Sequence, residues 1–245
     1  MPEASVAKMP ELRLPPAFTP VRLRERGDAF AHARAIAAEH GAGTLVHVGR
    51  FDLAEFALVL EPEEPLKRAR LAFYAGMTAL TDALIAYALP ETLISVVWPG
   101  AITVNLGLVG GGRLACPEGI ADDQVPPWLV FGGMLRTSVM DAREPGFNPT
   151  VTALAEEGFE AQAGELIESF AKNFMVALDA WQETGFAAIA RGYLERLPPE
   201  TGLDRSIAEN GDLLIRRIGK IDSRPFLPAL AAADWYDPET KAPRA

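Results

Sequence analysis

Three glycines in succession, Gly110, Gly111 and Gly112, stand inside a stretch that otherwise reads as β-strand. Each glycine gives up more backbone freedom on folding than any other residue, so a row of them within a strand is costly to order. In sheet sequence such residues mark the close approach of a ligand or of another stretch of backbone. The surrounding segment, Val96 to Ala115, leaves an apolar strand, breaks at Trp98-Pro99-Gly100 and resumes over Ile102 to Asn105. It then turns at Gly107 and passes the glycines to reach Arg113. Any fold for this chain must place that hairpin at a point of close contact, and the function is expected there.

Periodicity on either side of the hairpin sets the rest of the architecture. Residues 1–27, with Pro15-Pro16 and Pro20, read as an extended arm. Asp28 is an N-cap for a helix to about His40, with Phe30, Ala33, Ile36 and Ala37 as its apolar stripe. Strands are expected over 44–48 and 56–60, joined through Gly49-Arg50, and Pro65 opens a helix to about residue 88. There Leu66, Ala69, Phe73, Met77, Leu80 and Leu84 recur at intervals of three and four, giving one buried face. Further strands are expected over 94–97, 101–105, 108–115 and 128–135. The last, Trp128 to Leu135, is apolar nearly throughout and fits a strand covered on both faces.

Residues 141–150, rich in Pro and Gly, read as a loop. A helix over 160–181 carries Leu166, Phe170, Phe174 and Leu178 at every fourth position, and a shorter one follows from Gly185 to Leu197. Pro198-Pro199 marks a boundary. Beyond it Asn210-Gly211 signals a hairpin, and the tail reads as loosely ordered. The expected fold is α+β, a mixed sheet backed by helices. It divides into an arm (1–27), a main domain (28–198) and a small β-rich C-terminal unit (199–245).

Composition removes several function classes. A formal net charge of −10 argues against a nucleic-acid or anionic-membrane surface. The one cysteine, Cys116, forms no internal disulfide, and no Cys/His cluster has zinc spacing, so no metal site is expected. No apolar run approaches a membrane span. Acidic and proline residues stand where a signal peptide needs apolar ones, so a cytoplasmic protein is expected. The run from Gly107 to Leu114 mimics a phosphate-binding P-loop, but Arg113 replaces its lysine, Leu114 replaces its Ser/Thr, and strand rather than helix follows. Neither Gly-x-Ser-x-Gly nor His-Glu-x-x-His occurs.

Val96 to Arg113 also resembles the signature of biotin protein ligases and their lipoate-ligase relatives. In that signature Lys-Trp-Pro-Asn-Asp is followed by a hairpin and a Lys-apolar-Gly/Ala-Gly segment. Trp98-Pro99 match its Trp-Pro, and Val109-Gly110-Gly111 its apolar-Gly-Gly. Val97 replaces the first lysine, Gly100-Ala101 the Asn-Asp pair, and Leu108 falls at the position of the family's catalytic lysine. His47-Val48-Gly49-Arg50 resembles what is left of a long Gly-Arg-Gly-Arg-x-Gly-Arg loop that in the family folds over biotin and the adenylate. Phe56 to Pro62 resembles the strand after that loop.

Trp128 to Leu135 is similar to a Val-Ile-Gly-Ile-Gly-Leu-Asn strand. Gly132 keeps its first glycine, while Met134 and Arg136 replace the second glycine and the asparagine. Gly185-Phe186 through Tyr193 resembles the end of the catalytic domain, and the hairpin at Asp212 resembles the SH3-like domain that closes many members. The resemblance runs over residues 28–220 and implies a class II synthetase-like α+β fold.

By this resemblance the protein takes ATP with Mg2+ and a small carboxylic acid such as biotin, lipoate or octanoate. It joins the carboxylate to the α-phosphate and passes the acyl group to a lysine of a biotinyl or lipoyl carrier domain. A homodimer paired through sheet edges is also implied. Carboxylate and triphosphate repel, so backbone N–H groups and cations must hold them in line. Glycines let the backbone come close enough to donate, and arginine grips phosphate or carboxylate with two parallel bonds. Arg113 is therefore the candidate catalytic cation. His47, Gly49, Arg50, Trp98, Pro99, Gly110, Gly111, Gly112 and Gly132 are the candidate substrate-binding residues.

Strand alternation places Arg113 with Gly111 on one face and Leu108, Gly110 and Gly112 on the other, unless a bulge at the glycines redirects them. Plain structural alternatives stand beside these roles: Gly49-Arg50 as a hairpin turn, Arg113 as a surface arginine, the glycines as points of tight packing. The cut-down arginine loop encloses a ligand less well, which implies weakened substrate binding. Two functions stay open. One is an active ligase. The other is a ligase-fold protein that, lacking the lysine and the arginine-rich loop, binds a metabolite or protein partner without adenylation.

Overall fold

The computed structural model describes residues 11–139 and 152–244, so the loop expected over 141–150 lies outside the described residues. Asp28 caps helix α1 (Ala29–His40): its backbone is extended and its Oδ1 accepts from Ala31 N at 2.8 Å. The buried side of α1 is Ala29, Ala33 and Ala37, one turn apart, and their small side chains let the helix lie close on a sheet.

That sheet has seven strands: β1 (Thr19–Leu23), β2 (Thr44–Val48), β3 (Leu53–Leu60), β4 (Ile94–Val97), β5 (Ala101–Val104), β6 (Gly107–Ala115) and β7 (Leu129–Arg136). Their spatial order is β1-β2-β3-β7-β6-β5-β4. β1 pairs parallel with β2 and every other pair is antiparallel, so the sheet is mixed. Thr19–Leu23, which the proline-rich composition suggested was plain arm, is thus an edge strand. An edge tolerates the missing N–H of Pro20. β3 and β7 lie in the interior of the sheet and are buried along almost their whole length, which is why 128–135 reads as an unbroken apolar run.

The helix expected over 65–88 is two helices, α2 (Leu66–Ala69) and α3 (Ala72–Ile85). At the break the amides of Leu71, Phe73 and Tyr74 bond three residues back instead of four, and Arg70 pairs with Asp122. α3 is buried on nearly every side rather than along one stripe. It lies between the sheet and two further helices, α4 (Ala163–Thr184) and α5 (Phe186–Leu194), and such a helix carries apolar residues all round.

Past Pro199, β8 (Asp204–Ile207), β9 (Leu213–Arg217) and β10 (Lys220–Arg224) form a small antiparallel sheet, followed by α6 (Phe226–Ala232). Leu213, Ile215 and Phe226 are buried in the same cluster as Phe73, Phe131 and Phe170. Tyr74 OH donates to Gly211 O at 2.5 Å across the junction. The tail is not loose. β11 (Tyr236–Asp237) pairs with β12 (Ala242–Pro243), β12 lies along β6 and β7, and Trp235 is only 5% exposed. One buried tryptophan outweighs the polar, proline-containing residues around it.

Candidate functional site

The two faces of the large sheet differ. One carries α3, α4 and the main core, including Phe56, Val109, Leu114 and Phe131. The other is covered by α1 and by the C-terminal segment. Register sets Glu55 of β3 beside Met134 of β7, Met134 beside Gly111 of β6, and Gly132 beside Arg113.

A slip in pairing decides which β6 side chains reach this second face. Ile102 of β5 pairs with Gly110, whereas the next residue, Thr103, pairs with Leu108. The extra residue, Val109, turns into the main core. Leu108 comes round to the same face as Gly111 and Arg113 and packs with Leu53, Met134 and Trp235. Simple alternation had placed Leu108 opposite Arg113; the bulge corrects that assignment.

None of the three glycines borders open space. A Cβ at Gly110 would lie 1.9 Å from Met134 O, and one at Gly112, on the α3 side, 2.5 Å from Met77 Sδ. At Gly111 it would lie 2.1 Å from Gly100 O and 2.6 Å from the Trp235 ring, and at Gly132 2.5 Å from the Phe30 ring. Close approach is what these glycines provide, and what approaches is the protein itself.

Two guanidiniums stand on the same face. Arg113 is held between rings, its Cζ 4.5 Å from the centre of Phe30 and 3.9 Å from that of Tyr236. Arg136 donates through Nη2 to Pro243 O at 2.5 Å and Arg244 O at 3.1 Å, and through Nη1 to Thr152 O at 3.3 Å. Burial lowers its pKa from the usual arginine value. Glu55, also buried, accepts from Ala29 N at 2.8 Å. Burial raises its carboxyl above the ordinary range despite that bond and the nearby charges of Arg50 and Arg113. A helix N-terminus is a ready place for an anion, and here Asp28 and Glu55 already fill it.

His47, Gly49 and Arg50 border a different recess, a cavity of about 590 Å³ between the ends of β1 and β2 and the first turn of α4. Burial first, and Arg22 second, lower the His47 pKa from 6.5 to about 4, so its imidazole is neutral at pH 7. Arg50 holds Asp52 through Nε at 2.7 Å and Nη2 at 2.5 Å. That bond raises the Arg50 pKa, and together with the charge it outweighs the burial that pushes Asp52 upward, leaving Asp52 low. Four carboxylates, Glu11, Glu25, Glu165 and Glu168, line this cavity beside the guanidiniums of Arg13, Arg22 and Arg50. With Arg50 engaged by Asp52, the balance disfavours an incoming carboxylate.

Trp98-Pro99 belongs to neither recess. The peptide is cis, Trp98 Nε1 donates to Tyr74 OH at 3.3 Å, and Pro99 O accepts from Tyr193 OH at 2.7 Å. The pair anchors β4–β5 to α3 and α5.

Of the residues singled out from the sequence, the fold gathers Gly111, Gly132 and Arg113 on one face and places His47, Gly49 and Arg50 at another recess. It adds Glu55, Arg136, Trp235 and Tyr236, which sequence reasoning missed. The signal for the last two was an aromatic pair in an otherwise polar tail. Among the described residues no three His, Cys, Asp or Glu side chains form a metal site, and no helix is long and apolar enough to cross a membrane.

Residues 14–195 match the model of the biotin/lipoate A/B protein ligase family. Over 170 residues the chain is 28% identical to a biotin--[acetyl-CoA-carboxylase] ligase of Paracoccus denitrificans; the match covers 68% of this chain and 65% of that protein, under two thirds of its length. Among solved structures, a biotin protein ligase-like protein of unknown function from Silicibacter sp. TM1040 superposes with a TM-score of 0.74 at 28% identity, over 89% of this chain and 99% of that one. The apo biotin protein ligase of Aquifex aeolicus gives 0.65 at 15% identity, over 86% and 97%. Its complex with biotin and ATP gives 0.61 at 16%, over 84% and 94%. At those identities the Aquifex likeness is one of fold.

Proposed function

The chain belongs to the biotin/lipoate A/B protein ligase family, and on that premise we propose that it binds a small carboxylic acid of the biotin, lipoate or octanoate class and activates it with ATP for transfer to a carrier-protein lysine. The observation that carries this reading is the β6–β7 face, where Arg113 and Arg136 flank an apolar floor of Leu53, Ala101, Leu108 and Met134. An acid with an apolar body needs that combination of floor and cation. The recess at His47 is open, but its carboxylates repel such a ligand, so the acid belongs on the β6–β7 face with its carboxylate toward Arg113.

Joining the carboxylate to the α-phosphate releases pyrophosphate, and attack by a lysine amine on the acyl carbon then releases AMP. Fixed guanidinium charge counters the repulsion between the two anions as they meet. Magnesium fits as an ion carried in on the phosphates, since the described residues hold no carboxylate cage for it.

Leu108 favours a second reading. It occupies the strand position where the family has its lysine and offers only apolar contact, which suits binding of the acid without adenylation. ATP–pyrophosphate exchange with biotin, lipoate and octanoate, run beside calorimetric titration, separates the two. Acid-dependent exchange supports the ligase; binding without exchange leaves the second reading; the absence of both removes each.

A further inference from the structure

We propose that the C-terminal segment from Asp234 to Arg244 is an intrinsic competitor for the acid site, seated on the β6–β7 face as an acid with a flat apolar body would be. The inference rests on the assignment of the acid to that face. Trp235 lays its ring over Gly111 and packs on Leu53 and Met134, with Ala101 and Leu108 beside them. The polar half of the match is as close. Two main-chain carbonyl oxygens, of Pro243 and Arg244, both accept from Arg136 Nη2, at 2.5 and 3.1 Å, and so take up the second guanidinium of the face. The Tyr236 ring covers the Arg113 guanidinium at 3.9 Å. Ring, carbonyls and phenol together engage every feature that recommends the face for an acid.

The segment is built to move as one piece. Arg244 N donates to Trp235 O at 2.8 Å, closing it on itself around the β11–β12 pair. The buried cluster it joins is small and apart from the main core, which keeps Phe226 of the preceding α6. Lys241 Nζ lies 3.8 Å from Asp28 Oδ2 with its side chain exposed, a contact of little strength. Between α6 and the segment, Ala233 adopts a left-handed conformation with φ of 40°. Rotation at that junction lifts the segment while α6 stays docked, the behaviour of an element-terminal hinge. Release would uncover both guanidiniums at once, leaving Arg136 its bond to Thr152 O and Arg113 its contact with the Phe30 ring. A face open only part of the time binds more weakly in proportion to its open fraction.

The test is calorimetric titration of octanoate and of biotin into the full chain and into its Trp235→Ala and Tyr236→Ala variants, with melting temperature as the control for folding. Hydrogen exchange of residues 234–244 in the unaltered chain, with and without each acid, accompanies it. The expected result is binding about 10- to 100-fold tighter in the variants, the range set by a face open a tenth to a hundredth of the time, and faster exchange of the segment when acid binds the unaltered chain. Equal affinity in folded variants, or binding that leaves the segment's exchange unchanged, overturns the competitor while the acid site stands. Failure of every form to bind either acid overturns the acid site itself and the competitor with it. Should Trp235→Ala not fold, Tyr236→Ala and the exchange of the unaltered chain decide the matter.

Discussion

Gly112 and His47 report on opposite ends of the same question: what a side chain, or the lack of one, is for. Gly112 faces Met77 Sδ and the Phe131 ring, 2.5 and 3.1 Å from where a Cβ would stand. Gly112→Ala should therefore cost about 1–3 kcal/mol of stability through overpacking, read as a lower denaturation midpoint; an unchanged midpoint contradicts the packing role. For His47 the sign follows from proton counting. The folded chain protonates it near pH 4 and the unfolded chain near 6.5, so the unfolded state holds more protons between those values and stability falls as pH drops through that window. Glu55 acts the other way: its raised pKa favours the fold at low pH, and that share is lost as pH rises through the folded value. Comparing the unaltered chain with His47→Gln cancels Glu55. Between pH 6.5 and 4 the unaltered chain should lose up to about 3 kcal/mol more than the variant, at 1.36 kcal/mol per pKa unit, and less where solvent at the cavity mouth screens the charge. Parallel pH profiles contradict the burial of a neutral imidazole. The glycines were legible in the sequence as points of close approach. What approaches them was not, because Trp235 lies more than a hundred residues further along the chain and no local pattern joins the two.

At the scale of elements, local chemistry was legible wherever it acted locally. The Asp28 cap, the β3 and β7 runs and the Asn210-Gly211 turn all lie where their residue types put them. Asp28→Ala should cost about 1 kcal/mol by losing the Ala31 N–H bond, measured as a shift in thermal midpoint; no shift means the N-terminus of α1 is satisfied by Glu55 alone. Elements shaped by distant partners were less legible. At the α2–α3 break Arg70 meets Asp122, fifty-two residues away, and the amides of Leu66 and Lys67 bond the same distant loop. The β6 bulge depends on the pairing of β5. A one-residue slip moves side chains from one face to the other, and here it sets Leu108 beside Arg113 rather than behind it. That slip matters for chemistry, since it brings Leu108 and Arg113 to the same surface.

Over the whole molecule the C-terminal fifth of the chain does two things. Its small sheet completes the main core through Leu213, Ile215 and Phe226, and its last residues return to the opposite face of the large sheet. The chain thus encloses β6–β7 from both sides, with α3 on one and its own C-terminal segment on the other. On the function proposed for this chain, a small acid binds on that second side. The decisive measurement is a crystal structure of the Trp235→Ala variant grown with biotin and ATP. The expected result is the biotin carboxylate within hydrogen-bond distance of the Arg113 guanidinium, with its rings on Leu53, Leu108 and Met134. Biotin seated instead in the recess at His47 and Arg50, with the β6–β7 face still covered by residues 236–244, would contradict it.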